Sequence, residues 1–247
     1  GGSTYVDDWN AALEIDPVQL GVNAAYTAHR LDVGIEIDYE ENGNPNLDAL
    51  GTFIKSYRSY VNPLNGMNTL YDPTGVNPAA RLTIDLAAGN QWLTALSRKA
   101  AADWLRIDSL VLDYANAMVS NRQLTSAAAK SHWQEHVDGQ PRHNPAIPPL
   151  PPAKLTGSAY LVENRKTTPE CTHFLGSLQD TTGDYVQTVE PRVVGATSGM
   201  LGYMFWAAES PIWKSDTATP SNDCRDGVGR GGRVYMVPIP MEPLRQF

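Results

Sequence analysis

Three carboxylates recur at every second position of one short stretch: Glu36, Asp38 and Glu40, interleaved with Ile35, Ile37 and Tyr39. A period of two is that of a strand with two unlike faces. The apolar side chains point one way and the acidic ones the other, with same-face neighbours roughly 6.6 Å apart at ordinary strand rise. Carboxylates in such a row repel. Buried, they cannot all stay ionised, so one must hold its proton. A carboxyl that is protonated at neutral pH has what a general acid needs. The same row in open water is only a solvated strand face. The apolar opposite face, with Gly34 and Tyr39 beside it, favours a strand interior to a larger sheet.

Other residues carry chemistry less sharply. Leu124 to Val137 has helical character and contains His132-Trp133-Gln134-Glu135-His136. This resembles the H-x-x-E-H motif of inverzincin metallopeptidases. Histidines four apart share a helix face, and a glutamate beside them suits a base. No third ligand is evident, so an amphipathic helix on an outer layer is favoured over zinc. His29 falls near a helix end, where a dipole partner is the commoner role. Cys171 and Cys224 form one disulfide in a secreted protein or stay as two thiols; their spacing leaves both open.

The elements that must position these groups alternate. Tyr5 to Leu13 and Pro17 to Leu31 read as helices, the second started by Asp16 as cap and Pro17 at the first helical position. It feeds the acidic strand. Asn46 is placed to cap a helix to about Tyr60, with Leu47, Leu50, Phe53, Ile54 and Tyr57 on one face. Arg81 to Leu86 reads as a strand. A helix from about Gln91 to Leu105 follows, burying Leu93, Leu96, Ala100 and Trp104. Ile107 to Tyr114 reads as the next strand, and Lys154 to Val162 as another after the proline-rich loop Pro141 to Pro152. Cys171 to Leu178 and Tyr185 to Val194 are short broken segments. Gly199 to Trp206 is a strongly apolar strand, and Val234 to Val237 a terminal one. Strands alternating with helices predict an α/β fold with a parallel sheet.

The size suits one domain spanning residues 1–247: 42% hydrophobic content is ample for a single core. A net charge of −8 argues against nucleic acid and anionic membranes as partners. No apolar run is long enough to span a bilayer. Neither a phosphate-cradling loop nor a dinucleotide fingerprint is present, so no cofactor is expected.

The acidic stretch, written V-G-I-E-I-D-Y-E, resembles the fourth-strand motif D-G-x-D-x-D-x-E of glycoside hydrolase family 18, the chitinases and endo-β-N-acetylglucosaminidases. It matches at Gly34, Asp38 and Glu40 and departs at Val33 and Glu36. Gly1-Gly2 resembles the end of the family's third strand. The resemblance implies a (β/α)8 TIM barrel lacking its first two to three βα units, roughly 60 to 90 residues at about 250 residues for eight units. A preceding segment or a companion chain is then expected to complete it. It implies a retaining, substrate-assisted hydrolase of β-1,4 links at N-acetylglucosamine, in chitin or N-glycans, secreted from the cell. By the same resemblance Glu40 is the acid, Asp38 holds the acetamido N–H, Glu36 supports them, and Tyr114 binds the acetamido oxygen. Ala115 stands where the family usually has Asp or Asn. Trp206 would floor the sugar subsite, with Asn116 and Tyr39 as further substrate contacts. The departures leave a second expectation open, a catalytically silent carbohydrate-binding protein (a lectin, inhibitor or toxin component). A zinc peptidase built on His132 and His136 ranks third.

Overall fold

In the computed structural model, residues 2–72, 77–88, 91–106, 111–118, 126–160 and 203–206 are described. Helix α1 (Val6–Ile15) runs directly into α2 (Pro17–Leu31), and Asp16 separates them. The Asp16 side chain accepts from Gln19 N at 2.9 Å, so it caps α2 and satisfies a first-turn N–H that the helix itself cannot. Asp32, at φ 53°, ends α2 in the left-handed region. The chain then enters β1 (Ile35–Ile37). Asn46 caps α3 (Leu47–Arg58) by accepting from Ala49 N at 3.1 Å. Gly21 lets α2 and α3 meet closely: a Cβ there would lie 2.5 Å from the Phe53 carbonyl oxygen.

The sheet is parallel in sequence order. Strands β2 (Leu82–Ala88), β4 (Tyr114–Met118), β5 (Leu155–Tyr160) and β6 (Tyr203–Trp206) follow β1 one after another, each hydrogen-bonded to the one before. The short strand β3 (Gln91–Trp92) folds back antiparallel on β2. Helix α4 (Thr94–Lys99) continues as one wide turn, Ala100–Trp104, and α5 (Ser126–Asp138) packs beside β5, with Trp133 Nε1 donating to Leu155 O at 3.2 Å. The fold is therefore α/β with helices packed on a parallel sheet, as the alternation predicted.

One face of the sheet is apolar. Ile37, Tyr39, Leu82, Ile84, Leu86, Ala115 and Leu155 are buried there with Leu50, Phe53, Ile54 and Tyr57 of α3 and Leu93, Leu96 and Trp104. At about 25 cal/mol per Å² this layer is the main source of folding free energy. The N-terminal ends of β2 and β4 are clamped by Arg58, which is 7% exposed. It pairs with Asp113 at 2.6 Å and donates to Val111 O at 2.6 Å and to Ala80 O. Asp113 also accepts from Leu82 N at 2.7 Å, so one ion pair joins α3, β2 and β4.

Two expected elements are corrected. Gln91-Trp92 is strand, not helix, because it turns back to pair with Ala87 and Ala88 before α4 starts. Of the strand expected over Ile107 to Tyr114, the described part, 111–113, precedes β4, which runs Tyr114–Met118; Asp113 N already donates to Leu82 O at 2.9 Å. Residues 107–110 lie outside the described residues, as do Cys171, Cys224 and the segments expected around 171–194 and 234–237. No helix among the described residues is long and apolar enough to cross a membrane.

Candidate active site

The second face of the sheet is polar. Thr83, Asp85, Asn116 and Thr156 are all buried, yet none lies in the apolar layer. Alternation explains their common side: each is an even step from the others within its strand, and the ladders place Asp85 opposite Asn116 and Asn116 opposite Thr156. Glu36 lies opposite Thr83, so the next same-face pair up is Asp38 with Asp85.

Side chains link across this face. Asn116 Nδ2 donates to Glu36 Oε1 at 2.5 Å, and Thr156 Oγ1 donates to Asn116 Oδ1. β1 and β4 are separated by β2, so their strands in a flat sheet would lie roughly 9.5 Å apart. A direct bond between their side chains means that they lean together over β2, as on a concave face.

The acidic row has the predicted two faces. Ile37 and Tyr39 are fully buried in the helix-side layer, while Glu36 is exposed and Asp38 and Glu40 are half-buried. Gly2 sits against the row. Its N–H donates to Asp38 O at 3.0 Å, on the edge of β1 that faces away from β2. Its φ is +81°, and a Cβ there would stand 3.5 Å from Asp38 Oδ2 and 3.7 Å from Glu40 Oε1. The positive φ favours glycine there, while both carboxylates lie at ordinary contact distance.

The carboxyl pushed well above its ordinary range lies outside the row. Asp85 is 1% exposed, and burial pushes its carboxyl well above the ordinary aspartate range. Glu36 adds to the shift by its charge and by a hydrogen bond, and the charges of Asp38 and Glu40 act in the same direction. Asp38 is also raised, chiefly by burial, while a hydrogen bond with Glu40 works against the shift. Within the row, Asp38 is thus the member whose pKa rises, as the crowding of the row led one to expect, and β2 adds a fourth carboxyl, Asp85, to the crowd.

The remaining predicted residues divide. Tyr39 is not brought to the acidic face. Its hydroxyl bonds to Asn10 Oδ1 and accepts from Asn46 N at 3.3 Å, and its ring packs 5.7 Å from Trp9. Strand parity sends it to the helices, where it is fully buried. Tyr114 opens β4 level with Thr83 and Glu36, at the N-terminal end of the sheet and four residues below the level of Glu40. Burial raises its hydroxyl, with the Arg81 guanidinium opposing. The strand thus begins at the residue where the sequence suggested that it ends. Asn116 is in the site, but it is 4% exposed and engaged by Glu36 and Thr156, which makes it a brace and not an open substrate contact. Trp206 ends β6, the strand position expected for it, with its backbone opposite Tyr160; its indole lies outside the described residues.

His132 and His136 do share a face of α5, with ring centroids 5.1 Å apart. His136 is fully buried and stacks on Trp92 at 3.6 Å. Burial lowers His132 to about 4 and His136 well below its usual value, with the charge of His132 adding to the latter. No group of three metal-binding side chains forms among the described residues. A cleft of about 630 Å³ opens elsewhere, between α1 and the loop before α3, and Asn10, Glu14, Asn44, Asn46 and Asp48 line it. None of the four clustered carboxyls borders it.

Sequence reasoning passed over Asp85, although its signal was present: in Leu82-Thr83-Ile84-Asp85-Leu86, a charged residue interrupts an apolar strand with the parity of Thr83. Comparison with protein-family models, curated proteins and solved structures returns no match.

Proposed function

We propose that the chain is a retaining glycosidase acting on N-acetylglucosamine-containing glycans, built on a TIM-type barrel of the family 18 kind. The observation that carries this reading is the placement of Asp38 and Glu40. Both are half-buried carboxyls, two residues apart, just past the C-terminal end of a parallel strand and against a close-approaching glycine. Active sites of α/β barrels gather at that end of the strands. The sequential parallel order of the strands and the side-chain bond across β2 support a curved sheet that closes as a barrel does.

The chemistry follows from the two carboxyls. Glu40 donates a proton to the glycosidic oxygen as the bond to the leaving sugar breaks. The substrate's own acetamido oxygen attacks C1 and forms an oxazolinium ion, as in substrate-assisted hydrolysis. Asp38 accepts the acetamido N–H and balances the positive charge. Glu40, now ionised, takes a proton from water as the water oxygen bonds to C1 and the C1–O bond of the oxazolinium breaks to restore the acetamido group; two inversions at C1 retain the configuration.

A second reading has its own observation. With Tyr114 at the opposite end of the strand, none of the predicted residues is left to bind the acetamido oxygen. A protein that binds amino-sugar polymer without cutting it fits that gap. Incubation with a fluorogenic chitobioside and a pull-down on chitin separate the two. Release of fluorophore with a β-configured first product supports the hydrolase. Retention on chitin without release supports the binding protein. Absence of both release and retention removes both readings.

A further inference from the structure

We propose that Asp85 is a positioning residue of the acidic cluster: a neutral carboxyl that donates its one O–H to Glu36 and holds Glu36 away from Asp38. The geometry carries this in three steps. Asp85 is 1% exposed, its Oδ1 is buried without a hydrogen-bond partner, and the charged groups that act on it are Glu36, Asp38 and Glu40, all acidic. A buried carboxylate facing only other carboxylates lacks the compensation that an ionised group requires, so the neutral form is the one that folds. The neutral form has a single donor. Glu36 is its hydrogen-bond partner, and Glu36 is held from its other side by Asn116 Nδ2 at 2.5 Å.

Glu36 is therefore fixed from two strands at once, by Asp85 of β2 and Asn116 of β4. Thr156 of β5 holds Asn116 in turn. Asp38, the next carboxyl up the row, has a buried and unpartnered Oδ1. With Glu36 pinned below, that oxygen is not taken up by the carboxyl beneath it. The titratable groups that act on Asp85 are Glu36, Asp38 and Glu40, on the β1 side; Thr83, Asn116 and Thr156 share its polar face without titrating. The protonation of Asp85 stands by itself. Its consequence for catalysis rests on the glycosidase reading.

Infrared difference spectroscopy of the whole chain tests the two parts separately. At neutral pH the wild-type protein should show a protonated-carboxyl C=O band that shifts on labelling aspartate with carbon-13 and is missing from Asp85→Asn. Absence of a label-sensitive band, or its survival in Asp85→Asn, overturns the proposal whether or not the protein cleaves a glycan. If Asp85→Asn does not fold, Asp38→Asn makes the assignment: the band must survive there, and its loss overturns the proposal. For catalysis, Asp85→Asn keeps a neutral donor and should leave the pH profile of kcat/KM in place. Asp85→Leu releases Glu36 and should shift its acid limb and lower kcat by roughly tenfold or more, with KM little changed. Equal profiles for Asn and Leu would overturn the positioning role.

Discussion

Asn116 donates to Glu36 across an intervening strand, at 2.5 Å from Nδ2 to Oε1. The bond fixes the amide orientation, since its oxygen accepts from Thr156 Oγ1 on the other side. Asn116→Asp keeps the shape and removes the donor, placing a carboxylate against Glu36. We expect a loss of about 1–3 kcal/mol at neutral pH, the cost of an unsatisfied buried polar contact. The new carboxyl would have a raised folded-state pKa, so the loss should shrink as pH falls toward the ordinary aspartate value. Thermal unfolding of both proteins across pH checks it; a pH-independent difference would count against the like-charge account.

Tyr39 provides a control on the two faces of β1. Its hydroxyl serves Asn10 and Asn46 on the helix side. Tyr39→Phe should cost about 1 kcal/mol in urea unfolding, the usual worth of a hydrogen bond. Turnover, or retention on chitin, should not change. A large fall in activity at full stability would return Tyr39 to the substrate.

Arg58 is a buried cation bonded to four residues, Thr69, Ala80, Val111 and Asp113. Arg58→Met fills similar volume and leaves Asp113 without its cation. Removing one partner of a buried pair typically costs 3–5 kcal/mol, so a drop of about that size in denaturant unfolding is expected. A change under 1 kcal/mol would show that solvent already screens the pair.

The histidines set an acid limit. Burial holds His132 near 4, against an ordinary value of 6.5, and holds His136 well below that ordinary value too. Between those values the unfolded chain binds protons that the folded chain refuses. Stability must therefore fall as pH drops from about 6.5 to about 4. His136→Phe keeps the stack on Trp92 and removes one such group, so its melting temperature should be less sensitive to acid over that window. Identical slopes in the two proteins would contradict burial of the ring in its neutral form.

Much of this was legible where a local rule and the packing agree. Asp16-Pro17 and Asn46 announce helix starts, and both side chains make the expected bond. The row at 36–40 announces two faces, and Ile37 and Tyr39 bury on one while the carboxylates leave by the other. Strand boundaries misled where composition misled. The apolar run before Tyr114 has the character of a strand, whereas the observed strand, Tyr-Ala-Asn-Ala-Met, buries an asparagine inward. That choice makes sense only beside Glu36 and Thr156, eighty and forty residues away. Asp85 was missed for the same reason: a lone acid in an apolar strand acquires its meaning from partners that no local window contains.

The most direct test of the central claim is fluorophore release from a chitobioside by the wild type and by Glu40→Gln. The glutamine keeps the size of the side chain and removes its transferable proton. If Glu40 is the acid, the wild type turns over and the variant falls by roughly 10²- to 10⁴-fold with its melting curve intact, the usual worth of a general acid. Equal turnover in the two proteins, or none in the wild type, contradicts it.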